Sequence, residues 1–308
     1  MAQAREEELI DYPVIRYVRD KDSFVDDHKY TSMECYLDID LNGKRFTTSF
    51  CSPGDHVDLV IGILAQMGQI RTYDDIVRLD IDEENLQATV VTTEDAQAWA
   101  AQNATDPRYF RAREILDCEP EKIFERPRDV RFKASDILAC ADKLLAELAA
   151  THEKTNGVHS GIIWDQQAEK ILVFREDIGR HNVFDKLYGW SLRNHVDITD
   201  KIIIFSGRCS SEMMMKLGRM GISTVAAKSV PTTLSLALAK KLGITLVARM
   251  APGSFCVYTN PERTETLADG KDFPEAIRPL AQAMKKSLGY LRTRNDVRWT
   301  YINIKGER

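Results

Sequence analysis

The sequence lacks any apolar run of the roughly 20 residues that a membrane-spanning helix needs. Its first residues carry Arg5 and the acidic run 6–8 where a signal peptide would have an apolar core. Basic residues are not in excess either, because the formal net charge is −5. We therefore expect a cytoplasmic protein with no membrane segment and no nucleic-acid partner, in which any positive field is local to a pocket.

Closely spaced cysteines are also absent. The six cysteines contain no C-x-x-C pair and are Cys35, Cys51, Cys118, Cys140, Cys209 and Cys256. This spacing fits neither a dense disulfide framework nor a four-ligand zinc site, so we expect mostly reduced thiols and no metal. A zinc deaminase is excluded because Ser160 and Gly161 follow His159 and no Pro-Cys-x-x-Cys occurs.

Residues 1–133 predict a smaller α+β unit. Asn42-Gly43 between two alternating segments is a strong hairpin signal. The segments predicted as strands are 35–40, 44–50, 77–81 and 86–92, and a helix is predicted to follow residues 52–55 and to end at Gly68. The polar stretch 103–133, which contains Cys118, predicts a long flexible loop.

Residues 134–308 predict an α/β domain. Short apolar runs typical of strands buried on both faces lie at 160–164, 170–174, 201–205, 224–227 and 244–248. Helical patterns separate most of these runs, and another precedes the first. The alternation predicts a right-handed, largely parallel three-layer α/β domain.

Three polar clusters follow three of these strands where each passes into a helix. They occupy residues 175–181, 206–211 and 228–233. If the strands run parallel, the clusters gather along one edge of the sheet. Helix N-termini and basic side chains at such an edge favour a phosphate-bearing ligand.

The second and third clusters carry the candidate phosphate-binding groups. Arg208 can form a bidentate pair with phosphate, Lys228 adds a second cation, and Gly207 permits close backbone approach. Simple helix capping by the neighbouring serines and threonines is the alternative. Cys209 is a candidate nucleophile or a packed thiol; a phosphatase loop is excluded because Met215 stands where its arginine would be.

The first cluster combines acidic, basic and imidazole groups in one turn. Glu176, Asp177, Arg180 and His181 can bond a ligand or transfer protons, and His159 joins them. An ion-paired network that only fixes the turn is the alternative.

The motifs together resemble the FdhD family of formate dehydrogenase accessory proteins. The segments that carry the resemblance are 157–160, 176–182, 185–187, 206–208, 211–213 with Lys216, 231–233 and 242–246. The resemblance is close from residue 157 to about 261 and reaches the N-terminal unit through 52–55 and 62–64.

The resemblance implies a sulfur carrier, or sulfurtransferase, of molybdenum cofactor maturation. Such a protein takes persulfide sulfur from a cysteine desulfurase and passes it to molybdenum bis(molybdopterin guanine dinucleotide), which then enters the formate dehydrogenase apoenzyme. A cytidine-deaminase-like three-layer sandwich without zinc, nucleotide binding and a homodimer are also implied. The candidate cofactor-binding residues are His159, Glu176, Asp177, Gly179, Arg180, His181, Ser206, Gly207, Arg208, Lys228, Arg249, Met250, Ala251, Pro252, Gly253 and Ser254.

The chain departs from the family at the expected catalytic cysteine. The family's loop usually carries C-x-x-C, whereas segment 116–121 holds Cys118 alone. One thiolate can still accept a persulfide sulfur, although Glu119 and Glu121 disfavour the thiolate form. A cofactor-binding chaperone without transfer activity is therefore the alternative, and a nucleotide-dependent enzyme with His159 or His181 as acid or base is another.

Overall fold

The computed structural model describes residues 9–104, 130–142, 155 and 157–265. Strands β1 (Leu9–Val18) and β2 (Ser23–Ser32) form a separate antiparallel hairpin. Its apolar side chains are largely exposed; Ile15 is 71% and Phe24 is 72% accessible. Val14, Ile15 and Val18 suggest a strand or docking arm in the sequence, and β1 is that strand. It pairs with β2, whose polar sequence does not predict a strand.

A second sheet has the strand order β4-β3-β6-β5. Its strands are β3 (Cys35–Leu41), β4 (Lys44–Cys51), β5 (Ile76–Asp82) and β6 (Gln87–Thr92). The predicted hairpin is confirmed, with Asn42 and Gly43 both at positive φ as a two-residue turn requires. Helix α1 (His56–Gln66) packs its apolar side chains on this sheet, and α2 (Glu94–Asn103), which was not predicted, follows β6.

The hairpin contains a bulge that changes its register. The pairing shifts by one residue between Ile39 and Asp40, so that Cys35 lies opposite Cys51. An unbulged two-residue hairpin would place Cys35 opposite Phe50 and Cys51 on the other face. The bulge therefore brings two cysteines to the same place.

The third sheet has the strand order β12-β11-β10-β9-β7-β8. These strands are β7 (His159–Asp165), β8 (Lys170–Asp177), β9 (Ile202–Phe205), β10 (Thr224–Ala227), β11 (Thr245–Ala251) and β12 (Ser254–Val257). The pairs β9–β10 and β10–β11 are parallel, and the other three pairs are antiparallel. The predicted largely parallel sheet is thus mixed, although β8 to β11 all point the same way.

Helices cover both faces of this sheet. The helix α3, described over residues 134–142, packs Ile137 against Ile162 and Trp164. Helix α4 (Arg180–Arg193) lies on the opposite face, where Val183 approaches Gly161. The remaining helices are α5 (Ser211–Arg219) and α6 (Thr233–Lys241). The predicted three-layer α/β arrangement is confirmed, and the cytidine-deaminase-like topology stays a prediction.

Helices α1 and α4 cross at two glycines. A Cβ on Gly62 would lie 1.8 Å from the Asp185 carbonyl oxygen, and one on Gly189 would lie 1.8 Å from the Asp58 carbonyl oxygen. The two backbones are therefore in direct contact, which only glycine permits.

The domain boundary predicted between residues 133 and 134 stays a prediction.

Among the described residues, no helix combines the length and apolar character that crossing a membrane requires.

Candidate functional site

One edge of the six-stranded sheet gathers all three predicted clusters. The carboxyl ends of β8, β9, β10 and β11 lie at this edge because the four strands share one direction, and the start of antiparallel β7 lies there too. His159 pairs with Asp177 across β7 and β8, next to the strand that leads into Ser206. We refer to residues 159, 176–181, 206–211, 228–229 and 249–254 as the carboxyl edge.

Three exposed cations come from adjacent strands of the carboxyl edge. Arg208 follows β9, Lys228 follows β10 and Arg249 lies in β11, and all three side chains are exposed. The strand ends are tied together, since the Lys228 amide donates to the Phe205 carbonyl at 2.8 Å and the Arg249 amide to the Ser229 carbonyl at 3.2 Å. The edge can therefore present several positive charges to one anion.

Arg249 has a left-handed backbone with φ of 55°, at a register shift between β11 and β12. This conformation is unfavourable for any residue with a Cβ. Strain of this kind is often found where a side chain must be aimed at a ligand.

Gly207 lies in a narrow space between two rings. A Cβ there would be 2.7 Å from the Phe205 ring and 3.1 Å from His159 Nδ1. The neighbouring Ser206 bonds twice to Ser160: its amide donates to the Ser160 carbonyl at 2.9 Å, and its hydroxyl accepts from the Ser160 amide at 2.8 Å. The backbone after β9 is thus fixed in position while its next residue, Arg208, is exposed.

Asp177 is directed into the protein and not towards a ligand. Its side chain is fully buried, its Oδ1 accepts from the Gly179 amide and from Asn182 Nδ2, both at 2.8 Å, and its Oδ2 lies 2.8 Å from Lys186 Nζ. The Ser52 amide donates to Oδ2 at 3.2 Å. Asp177 therefore organises the turn before α4 and ties it to the loop after β4.

Glu176 and His181 are more accessible than Asp177. The Ser160 hydroxyl donates to Glu176 Oε1 at 2.8 Å. His181 Nε2 lies 3.2 Å from Glu212 Oε2, and burial followed by the charge of Lys216 lowers the pKa of His181. His181 is thus a neutral donor or acceptor at the start of α4.

Two buried polar atoms at the carboxyl edge lack hydrogen-bond partners within the described part of the chain. They are Nε of Arg180 at the start of α4 and Oγ of Ser210, the residue before α5. Ser210 also makes no side-chain cap to its helix. Since buried polar atoms in folded proteins are nearly always paired, these two keep hydrogen-bonding capacity that the described residues do not use.

The residues after Arg249 divide into core and turn. Met250 is 7% exposed and packs in the core with α3, so it does not face a ligand. Pro252 and Gly253 connect β11 to β12 in a tight exposed turn, in which Gly253 has φ of 73°. Ala251 and Ser254, which flank the turn, are exposed as well.

The cysteines outside the N-terminal sheet differ in how accessible their thiols are. Cys209 is fully buried, and burial raises the pKa of its thiol strongly, so it is a packed thiol. Cys118 lies outside the described residues. Cys256 is exposed, and Cys140 is buried.

A second polar cluster, beside the loop that contacts Asp177 from within the protein, was missed from the sequence. Cys35 Sγ is 3.6 Å from Cys51 Sγ and 3.8 Å from His56 Nε2. All three donor atoms lie within 4.8 Å of one another. No C-x-x-C spacing marks these residues; the only signal is the hairpin, whose bulge is not encoded in any recognisable motif.

Comparison with known proteins gives consistent results. The FdhD/NarQ family model matches residues 32–265. The sulfur carrier protein FdhD of Geobacillus kaustophilus (strain HTA426) is 36% identical over 261 residues, covering 82% of this chain and 95% of that protein. FdhD of Bacillus subtilis (strain 168) is 38% identical over 260 residues, covering 81% and 95%.

A solved structure agrees with the fold. A formate dehydrogenase accessory protein from Desulfotalea psychrophila superimposes with a TM-score of 0.68 at 24% identity, covering 83% of this chain and 99% of the other. At that identity the likeness speaks for the fold alone. The family model, by contrast, spans most of the chain, and the curated relatives match along nearly their whole length. The chain therefore belongs to the FdhD/NarQ family.

Proposed function

We propose that this protein is a sulfur carrier in the maturation of formate dehydrogenase. Support comes from its membership of a family whose similar members are named sulfur carrier proteins. The partners are a cysteine desulfurase as sulfur donor and the formate dehydrogenase apoenzyme as recipient, and a homodimer is the proposed assembly.

The cargo that we propose is molybdenum bis(molybdopterin guanine dinucleotide), bound at the carboxyl edge. The observation that carries this proposal is the convergence of Arg208, Lys228 and Arg249, all exposed, from three adjacent strands. A pyrophosphate offers acceptor oxygens to such cations in charge-assisted hydrogen bonds. Arg180 Nε and Ser210 Oγ, which have no hydrogen-bond partner among the described residues, offer further donors on the same edge.

The remaining edge residues fit supporting roles. Gly207 leaves the space beside it to the Phe205 ring and to His159, which pack against the strand end that precedes Arg208. Glu176 and His181 are accessible polar groups near the start of α4, whereas Asp177 holds the turn from within.

Cys118 is the proposed carrier thiol. Its thiolate attacks the outer sulfur of the donor's persulfide, a new S–S bond forms on Cys118, and the donor's cysteine leaves as a thiolate. The step exchanges one S–S bond for another, so no external oxidant or reductant is needed. The persulfide sulfur is then available to the cargo.

Cargo binding is tested by calorimetric titration with GDP, which carries the guanine and pyrophosphate of the cargo. We expect Arg208→Ala and Lys228→Ala each to weaken binding by about 10- to 100-fold, the loss of one charge-assisted hydrogen bond. Lys170→Ala is the matched control, because Lys170 is an exposed cation at the opposite end of β8. GDP affinity equal to wild type in both edge variants would refute the assignment, and GDP turnover would favour a nucleotide-dependent enzyme.

Sulfur loading is tested by intact mass after incubation with a cysteine desulfurase and cysteine. We expect one added sulfur atom that is lost in Cys118→Ala and kept in Cys256→Ala, whose thiol is also exposed. A wild-type protein that binds GDP but takes up no sulfur would instead be a cofactor chaperone. The chaperone alternative is favoured by the sequence around Cys118, which contains no second cysteine.

A further inference from the structure

The cluster of Cys35, Cys51 and His56 lies where the β3–β4 hairpin meets α1. Cys35 begins β3, Cys51 ends β4, and His56 is the first residue of α1. Cys51 and His56 are buried, while Cys35 is only partly covered. Three donor groups that metals favour thus come from three different elements and converge on one point.

The spacing of the donor atoms matches a tetrahedral metal site. An ion that holds sulfur at ~2.3 Å and nitrogen at ~2.0–2.1 Å sets two sulfurs about 3.8 Å apart, and a sulfur and a nitrogen about 3.5–3.6 Å apart. The observed separations are 3.6 Å between the two sulfurs and 3.8 Å between Cys35 Sγ and His56 Nε2. The third separation, between Cys51 Sγ and His56 Nε2, is within 4.8 Å, so an ion can enter with side-chain shifts of up to about an ångström.

Glu83 orients His56 as a ligand. Its Oε2 lies 2.6 Å from His56 Nδ1. A carboxylate only accepts, so Nδ1 carries a proton and Nε2 is the nitrogen that faces Cys35 as a ligand. Carboxylate–histidine–metal chains of this kind are the usual support of metal-bound histidine.

The ligand set selects the ion by softness and charge. Two thiolates and one imidazole suit zinc(II), and the two negative charges balance the ion in a largely buried place. A disulfide between Cys35 and Cys51 is the alternative. It needs the two sulfurs about 2.05 Å apart, and it gives no role to the hydrogen bond between His56 and Glu83. The arrangement of four groups favours the metal over the disulfide.

We propose that Cys35, Cys51 and His56 bind one zinc ion, with Glu83 as the hydrogen-bond partner of His56 and a fourth coordination position left to water. The site joins both strands of the hairpin to α1. Ser52, the residue after Cys51, bonds to Asp177 and to the Ile178 amide, so the ion would also fix the loop that supports the turn before α4. This proposal is independent of sulfur transfer at Cys118.

The test uses the reduced full-length protein, stripped of metal and titrated with Co²⁺. We expect one Co²⁺ per chain with thiolate-to-cobalt charge-transfer absorption, and displacement of Co²⁺ by Zn²⁺. Cys51→Ser should lose this absorption, and Cys256→Ser, which removes an exposed thiol elsewhere, should keep it. Wild-type protein without charge-transfer absorption, or Cys51→Ser with all of it, would overturn the proposal.

A second variant tests the site even if Cys51→Ser does not fold. Glu83 has a side chain that is 64% exposed, so Glu83→Gln should fold normally. We expect it to bind Zn²⁺ about 10- to 100-fold more weakly, because His56 loses its carboxylate partner. Unchanged affinity in Glu83→Gln, or a Cys35–Cys51 disulfide and no zinc in protein isolated under reducing conditions, would contradict the site.

Discussion

Replacement of Lys186 by methionine should lower the free energy of unfolding by more than the loss of any exposed ion pair would. Lys186 and Asp177 have side chains that are 1% and 0% exposed, and their charged atoms are 2.8 Å apart. Lys186 Nζ also donates to the Glu176 carbonyl at 3.1 Å. Lys186→Met leaves the Asp177 carboxylate buried without a counter-charge, although the Gly179 and Asn182 hydrogen bonds remain.

The expected magnitude follows from the burial of the pair. Breaking a buried ion pair by removing one partner typically costs about 3–5 kcal/mol. A domain has a total free energy of unfolding of about 5–15 kcal/mol, so the loss is a large fraction of it. Urea unfolding followed by circular dichroism measures the change.

Two further variants make the measurement decisive. Arg78→Met is the matched control, because Arg78 pairs with Asp80 on the surface and is 69% exposed, and it should change stability by less than about 1 kcal/mol. Asp177→Asn combined with Lys186→Met should recover part of the loss, since neither buried charge remains. If Lys186→Met is no more destabilising than Arg78→Met, the buried-pair reasoning is wrong.

Three other changes test separate features. Gly62→Ala should prevent stable folding, because its Cβ would lie 1.8 Å from a carbonyl oxygen of the facing helix. Gly253→Ala is the control: its Cβ meets open space, so the substitution should cost only about 1 kcal/mol for the positive φ. Thermal unfolding compares the two variants. Burial lowers the pKa of His181 below its ordinary 6.5, so the unfolded chain binds the proton more readily and stability should fall as the pH drops below about 6.5. His181→Gln should remove that part of the pH profile, and an unchanged profile would argue against it. Arg249→Gly should raise the melting temperature by relieving the left-handed backbone while weakening GDP binding; a loss of stability would contradict the strain assigned to this residue.

The strands and helices near the candidate site were predictable because their patterns are local. Asn42-Gly43 sets a tight turn, apolar runs of four or five residues mark strands covered on both faces, and polar clusters mark the strand ends. Strand direction was not predictable, because β7 enters the sheet antiparallel to β9 through pairing with residues far along the chain. The carboxyl edge still forms, since the start of β7 replaces the end of a parallel strand.

The individual roles were less predictable than the location. Asp177 and Arg180 look alike in sequence as polar residues of one turn. In the structure Asp177 is fully buried among protein donors, whereas a buried nitrogen of Arg180 finds no partner in the described part of the chain. That difference depends on Ser52 and Lys186, which approach from other elements. The facing of Cys35 and Cys51 depends on one bulge, and a shift of a single residue would have sent their side chains to opposite faces.

The crossing of α1 and α4 has a mechanical consequence. Where side chains separate two helices, changes of rotamer can accommodate sliding of one helix past the other. At Gly62 and Gly189 the main chains are in direct contact, so no side chain can adjust there. The β3–β4 hairpin, which packs on α1, is therefore coupled to α4 through direct contact of the two helix backbones. We expect a displacement of α4 to move α1, and with it the sheet on which α1 packs.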